Sequence, residues 1–379
     1  MRMILLGTGP FAVPTCQRLL EDGHDIALVV TRPLVDPQAK KPPPRPVYQW
    51  ASQAGLEIYE PASINSPEAI ARLAGLQADL MFVCDYGQIL STASLATTRM
   101  GGINLHGSLL PRHRGAAPVQ WTLLSGDAQA GVTLIHMTPR LDAGPALAIA
   151  QTEIAEDESA EQLELRLAQL GVAATLQAVA MLADWDGHSS IGVIQDAGLV
   201  TKAPRFAKRD GQLDFRQSAE QLVRQVRACQ PWPSTFAELA WPEGKKMRLL
   251  IKAARAVSVT LPELKDQPVG TVAVVDTRQS EVWQPKVLAT SATDGGRPKV
   301  LASSATDGGQ PKVLENSATV LGYGDWSAPW QRVLGVSTGQ GTLLIGRVGP
   351  AGKREMNVDE FLRGHPIAET AQFVPVSNE

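Results

Sequence analysis

Residues 101–118 read GGINLHGSLLPRHRGAAP, and they follow a short apolar run, LMFVC, at residues 80–84. Asn104 and His106 are two positions apart, so both side chains point to the same face if residues 103–106 end a strand. An amide beside an imidazole can stabilise negative charge on a carbonyl oxygen, and an imidazole can also move protons near neutral pH. Taken alone, the pair favours a simpler interpretation, in which Asn104 caps a turn and His106 is a buried histidine with satisfied hydrogen bonds.

Short strands and helices alternate on both sides of this stretch. An apolar strand at 3–6 and a glycine turn precede a helix at Val13–Glu21, and a second apolar strand occupies 26–31. A strand, a helix and a strand at this spacing predict a parallel sheet with right-handed crossovers. We therefore predict an α/β protein whose N-terminal domain has a Rossmann-like parallel sheet. The alternation continues with helices predicted at 47–55 and 66–75 and strands predicted at 56–59, 79–84 and 132–137.

The first glycine turn does not complete a dinucleotide-binding fingerprint. The pattern G-x-G-x-x-G requires a glycine at its sixth position, where this chain has Ala12. No acidic residue closes the next strand in the position that binds a ribose hydroxyl. A nicotinamide-dependent dehydrogenase is therefore disfavoured.

Two features follow the predicted strand at 132–137. Asp142 lies in an Asp-Ala-Gly-Pro turn, where an aspartate usually serves only the turn itself. It gains a chemical role only if the turn folds back beside Asn104 and His106. Further on, Ser159 and Gln162 form a capping-box pattern, which predicts a long helix that ends near Asp184 and closes the first domain.

Composition excludes several classes of protein. The three cysteines are far apart and form no C-x-x-C pair, and no H-E-x-x-H spacing occurs, so neither a disulfide framework nor a zinc site is expected. We find no apolar run of the roughly 18 residues that a membrane helix needs. The first strand begins almost at the initiator, which leaves no room for a targeting peptide. We therefore expect a cytoplasmic protein without membrane contact.

The second half of the chain differs in charge and pattern. Residues 151–200 carry nine acidic residues against Arg166 alone, whereas residues 201–257 carry twelve basic residues against five acidic ones. This segregation favours a polyanionic partner for the second half. A helix that opens with a second capping box at Ser218 is predicted to turn Arg224 and Arg227 outward. Short strands are then predicted from about residue 247 onward, as in a small barrel or sandwich.

A thirteen-residue repeat interrupts these strands. The sequence PKVLATSATDGGR at 285 is followed by PKVLASSATDGGQ at 298 and by PKVLENSAT at 311. Two and a half copies are too few for a solenoid, so the repeat is interpreted as a duplicated loop, and no function is assigned to it.

The central stretch resembles the signature of the folate-dependent formyltransferases. The family pattern Asn-x-His-x-Ser-Leu-Leu-Pro corresponds to residues 104–111, and an Asp some 36 positions after the His corresponds to Asp142. The extension RGAAP narrows the resemblance to the branch that acts on methionyl-tRNA and on certain amino sugars. Four further segments are similar to the tRNA branch: LLGTGPFAVP at 5–14, APRFAKRDGQLDF at 203–215, VRQVRACQPWP at 223–233 and FLRGH at 361–365.

Three departures from the family pattern stand out. Gly9 and Pro10 lie where the family more often has Pro-Glu, and Asp85 lies where an alanine usually precedes Tyr-Gly. The proline-rich loop at 32–46 is shorter and less basic than is typical. In this family that loop is expected to wedge against the acceptor end of the tRNA.

The resemblance implies a reaction and a set of site residues. The formyl group of 10-formyltetrahydrofolate would pass to the α-amine of methionyl-initiator tRNA, with no metal required. Asn104 and His106 would stabilise the oxyanion, and Asp142 would pair with His106 and accept the amine proton. Ser108, Leu109, Leu110 and Pro111 would shape the folate pocket.

The resemblance also implies an organisation in domains. A catalytic domain at 1–187, a basic linker at 188–215 and an OB-like β-barrel at 216–379 are expected, with the repeat as an insert at about 285–319. We expect a monomer. The predicted tRNA contacts are Lys40, Lys41, Arg45, Lys202, Arg205, Lys208 and Arg209. Two alternatives stay open: an amino-sugar or nucleotide N-formyltransferase that uses the same folate site, and a tRNA-binding protein with an inactive site.

Overall fold

The computed structural model describes residues 1–34, 36, 42–278, 320–323, 330–368 and 370–374, with the backbone alone at 320–323. Lys40, Lys41 and the repeat insert lie outside the described residues. The chain divides into two compact units, one formed by 1–213 and 224–235 and the other by 214–223 and 236–379. The domain boundaries at 187 and 215 stay predictions.

Among the described residues, the first unit contains a seven-stranded sheet, a two-stranded sheet and six α-helices, α1 to α6. Its strands are β1 (Arg2–Gly7), β2 (Asp25–Val30), β3 (Ile58–Tyr59), β4 (Leu80–Cys84), β5 (Gly102–His106), β6 (Arg114–Gly115), β7 (Gln129–His136), β8 (Ala146–Glu153) and β9 (Lys202–Ala203). Its helices are α1 (Val13–Glu21), α2 (Pro46–Gln53), α3 (Pro67–Gly75), α4 (Thr92–Leu95), α5 (Pro118–Ser125) and α6 (Ala160–Ala183).

The large sheet has the strand order β3-β2-β1-β4-β5-β7-β8. The first five strands are parallel, as predicted, but β7 is antiparallel to β5 and β8 is antiparallel to β7. The predicted parallel sheet is confirmed for these five strands, and the edge formed by β7 and β8 adds an antiparallel part that the sequence did not indicate. The connection from β5 to β7 contains β6 and α5 and ends at the carboxyl end of β5, so β7 runs in the opposite direction.

The topology creates a crevice beside β1. The chain runs outward from β1 through β2 to β3 and then returns to β4 on the other side of β1. Connections therefore leave the carboxyl ends of β1 and β4 in opposite directions, which opens a ligand-binding crevice in sheets of this kind. Both strands are almost wholly buried, in keeping with their unbroken apolar sequences.

Helix α6 packs along the sheet through one apolar face. Its predicted capping box is confirmed, since Ser159 Oγ accepts from Gln162 N at 3.2 Å and Gln162 Oε1 accepts from Ser159 N at 2.9 Å. Leu163 and Leu167 are fully buried in the core. By length and composition α6 qualifies as a candidate membrane span, contrary to the sequence estimate, but a buried core helix passes the same test and 44% of its most apolar window is buried.

The second unit is built on an antiparallel sheet. Its elements are α7 (Ala219–Ala228), β10 (Thr235–Ala240), β11 (Lys246–Val257), β12 (Val272–Asp276), β13 (Val320–Tyr323), β14 (Arg332–Ser337), β15 (Thr342–Pro350), β16 (Met356–Asn357), α8 (Val358–Gly364) and β17 (Gln372–Val374). The division between the two units falls within α7 and again at the start of β10. The order is β12-β14-β15-β11-β10-β17, with β13 on β11 and β16 on β15. This arrangement is consistent with the predicted OB-like domain.

Arg227 of α7 points inward, whereas the sequence predicted that it points outward. Arg227 is buried, with 8% of its surface exposed. Its guanidinium donates to the carbonyl oxygens of Glu158 at 2.8 Å and Ala155 at 2.6 Å. These two acceptors satisfy the buried charge, so Arg227 belongs to the interior of the first unit and does not contribute to a basic surface.

Candidate active site

A cavity of about 490 Å³ opens in the first unit at the carboxyl ends of β1 and β4. Its wall is formed by the segments that follow β1, β4 and β5, by the connection between β7 and β8, by Glu164 of α6 and by Arg205. Asn104, His106 and Asp142 all line it. The crevice expected from the strand order and the three predicted catalytic residues therefore coincide.

Asn104 and His106 project from the end of β5 into this cavity. They stand at positions i and i+2 of the strand, as predicted, and so share one face. His106 is 5% exposed, and Asn104 is half-buried. The simpler interpretation of Asn104 as a turn cap does not hold, because Asn104 lies within a strand that pairs with both β4 and β7.

Asp142 is brought to His106 by the turn between β7 and β8. Its backbone has a φ of 50°, in the left-handed region. Its Oδ2 accepts from the backbone N–H of Gly115 at 2.9 Å and lies 3.7 Å from His106 Nδ1. Gly115 belongs to the RGAAP segment, so this segment holds the carboxylate in place.

The second ring nitrogen of His106 is bound elsewhere. Nε2 lies 3.0 Å from the carbonyl oxygen of His113. A carbonyl oxygen can only accept, so Nε2 carries a proton in the neutral ring as well as in the charged ring. Nδ1, on the side of Asp142, is therefore the nitrogen that can gain or lose a proton.

Ser108, Leu109, Leu110 and Pro111, predicted to shape the folate pocket, do not line the cavity. Their polar groups form hydrogen bonds within the loop after β5 and with Thr133 of β7. Ser108 Oγ donates to Arg112 O at 2.7 Å, Thr133 Oγ1 donates to Ser108 O at 2.8 Å, and Leu110 N donates to Thr133 Oγ1 at 3.0 Å. In this structure the four residues shape the loop that carries His113.

The predicted tRNA contacts divide into three groups. Lys40 and Lys41 lie outside the described residues. Arg45 is engaged within the fold, since it forms an ion pair with Glu60 and lies 3.8 Å above the ring of Tyr48. The remaining four are exposed: Lys202, Arg205, Lys208 and Arg209. Arg205 differs from the other three because it also lines the cavity.

Two carboxyl groups in the cavity wall were not among the predicted site residues. Asp85 follows β4, and its carboxyl lies over Gly9, where an added Cβ would be 2.1 Å from Oδ2. Gly9 and Asp85, which both depart from the family pattern, are therefore in contact. Glu164 projects from α6. An acidic residue directly after a buried strand, and another on an apolar helix face, were the signals in the sequence that could have identified them.

Both carboxyl groups have perturbed acidity. Asp85 is accessible from the cavity but surrounded by protein atoms, and this burial raises its pKa to about 6, while the charge of Arg205 opposes the rise. Burial raises the pKa of Glu164 to about 7, with additional repulsion from Asp85 and Glu161. The cavity therefore holds two carboxyl groups that titrate near neutral pH.

Comparison with known proteins identifies the family. The formyl transferase model matches residues 1–179, and the model of the formyl transferase C-terminal domain matches residues 205–282. The methionyl-tRNA formyltransferase of Rhodopirellula baltica is 39% identical over 99% of this chain and 97% of its own length. That of Methylococcus capsulatus is 34% identical, over 97% and 98% of the two chains.

Solved structures share the fold at low identity. An N-formyltransferase from Helicobacter canadensis, in complex with folinic acid and dTDP-3-aminofucose, has a TM-score of 0.56 at 10% identity and covers 90% of this chain and 98% of its own. HypX from Aquifex aeolicus, in complex with tetrahydrofolic acid, has a TM-score of 0.52 at 12% identity over 96% of this chain. This chain spans about half of that protein, 47%. From the family models and the full-length relatives we conclude that the chain belongs to the formyl transferase family, in its methionyl-tRNA formyltransferase branch.

Proposed function

We propose that this enzyme transfers the formyl group of 10-formyltetrahydrofolate to the α-amino group of methionyl-initiator tRNA. The observation that carries the proposal is the meeting of Asn104, His106 and Asp142 in one cavity, with Asp142 Oδ2 3.7 Å from His106 Nδ1. The full-length relatives, which are named methionyl-tRNA formyltransferases, support the choice of substrate.

The reaction is an acyl transfer between two nitrogens. The neutral amine attacks the formyl carbon, a C–N bond forms, and the carbonyl oxygen becomes an oxyanion. The Asn104 amide is one donor for this oxyanion, and His106 becomes a second donor once Nδ1 carries a proton. One such donor contributes roughly 3–4 kcal/mol in comparable sites. Asp142 accepts the proton lost by the amine, directly or through Nδ1 of His106. The oxyanion then re-forms the carbonyl, the C–N bond to folate breaks, and the folate nitrogen takes up the proton that Asp142 or His106 received.

The cavity suits a folate co-substrate in size and character. Its volume of about 490 Å³ lies in the range of small-molecule sites. Apolar side chains such as Phe11, Val83 and Met137 line it and can contact a ring system, and residues of the loop that follows β4 line it as well. The proposal assigns no metal and no redox cofactor, because formyl transfer moves no electrons between oxidation states.

The tRNA is proposed to contact exposed basic side chains of the linker. Lys202, Lys208 and Arg209 are candidates for phosphate contacts, which provide most of the affinity in such complexes. An amino-sugar N-formyltransferase is the less supported alternative. The Helicobacter canadensis N-formyltransferase solved with dTDP-3-aminofucose is 10% identical to this chain, whereas the two methionyl-tRNA formyltransferases are 39% and 34% identical.

A substrate comparison tests the proposal. Purified enzyme and 10-formyltetrahydrofolate are incubated with methionyl-initiator tRNA or with a nucleotide-linked amino sugar, and formylated product is quantified by mass spectrometry. We expect product from the tRNA alone. If the sugar is formylated and the tRNA is not, the proposed acceptor substrate is wrong. If neither compound is formylated, the proposed formyl transfer itself is wrong.

A further inference from the structure

We propose that residues 193–203, here termed the strap, position both Asp142 and His106 for formyl transfer. Gln195 holds the turn that carries Asp142. Thr201 holds His113, whose carbonyl oxygen accepts a hydrogen bond from His106. The inference rests on the proposed function for the roles of Asp142 and His106. It gives a mechanical role to a segment that the sequence identifies only as part of a basic linker.

The strap is fastened to the first unit by backbone hydrogen bonds at both ends. Val193 and Ala146 exchange two N–H···O bonds of 2.8 Å each. At the other end, β9 pairs in parallel with β6. Arg114 N donates to Thr201 O at 2.9 Å, and Ala117 N donates to Ala203 O at 3.2 Å. The side chains between these attachments are therefore held at fixed positions relative to the RGAAP segment.

The Gln195 amide lies between two catalytic segments and uses its full hydrogen-bonding capacity. Its Oε1 accepts from Arg114 Nε at 3.2 Å and from Arg114 Nη2 at 2.6 Å. Its Nε2 donates to the carbonyl oxygens of Asp142 at 2.9 Å and Gly144 at 2.7 Å. Only one orientation of the amide fits, because guanidinium groups only donate and carbonyl oxygens only accept.

These bonds fix the backbone of the turn that carries Asp142, in addition to the bond of 3.4 Å from Ala143 N to Arg140 O within the turn. Asp142 has a φ of 50°, and such a conformation persists only where neighbouring groups enforce it. The carboxylate itself is held by one bond, from Gly115 N. Gln195 fixes the backbone of the same residue, and the 3.7 Å separation between Asp142 Oδ2 and His106 Nδ1 depends on that backbone.

Thr201 acts on the other catalytic side chain. Its Oγ1 accepts from His113 N at 2.8 Å and lies 3.4 Å from His113 Nδ1. His113 has a φ of 61°, and its Nε2 is paired with Asp127 at 2.7 Å. Thr201 and Asp127 thus hold His113 from two sides, and its carbonyl oxygen stays 3.0 Å from His106 Nε2. Without this acceptor, either ring nitrogen of His106 can carry the single proton of the neutral ring.

The test uses isosteric changes in the strap and measures both catalysis and local structure. Gln195→Met keeps the length of the side chain but removes all four hydrogen bonds, and Gln195→Glu keeps the pairing with Arg114 while turning an acceptor toward two carbonyl oxygens. Thr201→Val removes the hydroxyl, Thr201→Ser retains it, and Leu199→Ala changes a strap residue that is 60% exposed. We measure kcat, both KM values, the thermal midpoint and amide hydrogen exchange in residues 138–144.

We expect kcat to fall at least about tenfold in both Gln195 variants and in Thr201→Val, since misplacement by about 1 Å can reduce a rate about a hundredfold. Both KM values should stay within about threefold. Exchange in residues 138–144 should rise in the Gln195 variants, with midpoints within a few degrees of the parent. Thr201→Ser and Leu199→Ala should behave like the parent protein.

The strap proposal is overturned if the Gln195 and Thr201→Val variants keep parental kcat and parental exchange. A parent enzyme that fails to formylate methionyl-tRNA overturns the proposed function instead. In that case the exchange of residues 138–144 still reports whether Gln195 holds the turn. The two failures are therefore distinguishable.

Discussion

The two ring nitrogens of His106 face different partners, with Nε2 3.0 Å from the carbonyl oxygen of His113 and Nδ1 3.7 Å from Oδ2 of Asp142. The first contact assigns a permanent proton to Nε2. Nδ1 of the neutral ring and Oδ2 of Asp142 are both acceptors, and they lie 3.7 Å apart. A substrate amine that enters this gap can give its proton to either group, which is the transfer that the proposed reaction requires.

Asp142→Asn tests this arrangement directly. The amide oxygen can still accept from Gly115 N, so the turn should persist while the charge is lost. We expect single-turnover formylation to slow by about 10²–10⁴-fold, as for loss of a general base. Folate affinity, measured by calorimetry, should change by less than about threefold. Near-parental turnover in this variant would exclude Asp142 as the proton acceptor.

Glu164→Gln tests the acidic part of the cavity through stability. Burial raises the pKa of Glu164 to about 7 in the folded protein from an ordinary value of 4.5. Between these pH values the folded state binds more protons than the unfolded state, so the free energy of unfolding falls as pH rises through this window. We expect the parent protein to lose about 2 kcal/mol more than Glu164→Gln between pH 5 and pH 8.

Urea unfolding at the two pH values measures this difference. Asp184→Asn, an exposed change at the C-cap of the same helix, serves as the control and should retain the parental pH dependence. Equal pH dependence in Glu164→Gln and the parent would mean that Glu164 is ionised in the folded protein at neutral pH.

At the scale of elements, features that depend on local sequence were predictable and features that depend on distant partners were not. Helix α1 was predicted at its observed bounds, Val13–Glu21, and α6 from its capping box. The antiparallel course of β7 depends on where a long connection ends, and no local pattern encodes it. The strands β6, β8, β9 and β10 were not predicted, and two of them, β6 and β9, contain only two residues each.

The candidate site follows the same rule. Asn104 and His106 are two positions apart, and a strand places them together. Asp142 was identified through the family signature and not through its turn. The carboxyl of Asp85 lies over Gly9, 76 positions earlier in the chain, and only the fold brings the two together.

Gly115→Ala tests how the RGAAP segment supports the site. Gly115 has a φ of 138°, and an added Cβ would lie 2.3 Å from Ala203 O, so β6 would have to separate from β9. The N–H that holds Asp142 would move with β6. We expect a loss of stability of about 1–3 kcal/mol and a loss of formylation of more than about tenfold.

Gly75→Ala provides the matched control, because a Cβ at the end of α3 meets no atom within 4 Å. This variant should melt at or slightly above the parental temperature and keep parental activity. If Gly115→Ala also behaves in this way, the contact between β6 and β9 does not support Asp142.

At the scale of the whole molecule, charge is segregated along the chain while the net charge is only −3. Net charge therefore cannot attract a polyanion, and attraction requires a local cluster. Arg45 and Arg227 are engaged within the fold, which leaves the exposed bases of the linker as the best described candidates. Long-range attraction by such a cluster should be strongly dependent on salt.

A triple variant, Lys202→Ala with Lys208→Ala and Arg209→Ala, measures this contribution. We expect a higher KM for methionyl-tRNA, an unchanged KM for folate, and a slope of log(kcat/KM) against log[salt] that is shallower by about 2–3, since each lost phosphate contact removes roughly 0.7–0.9. The control removes three exposed charges elsewhere in the same unit, at Arg18, Arg72 and Arg99. Both variants have the same net charge, so only a local role of the linker separates them. Identical salt slopes in the two variants would show that the linker bases do not contact tRNA phosphates.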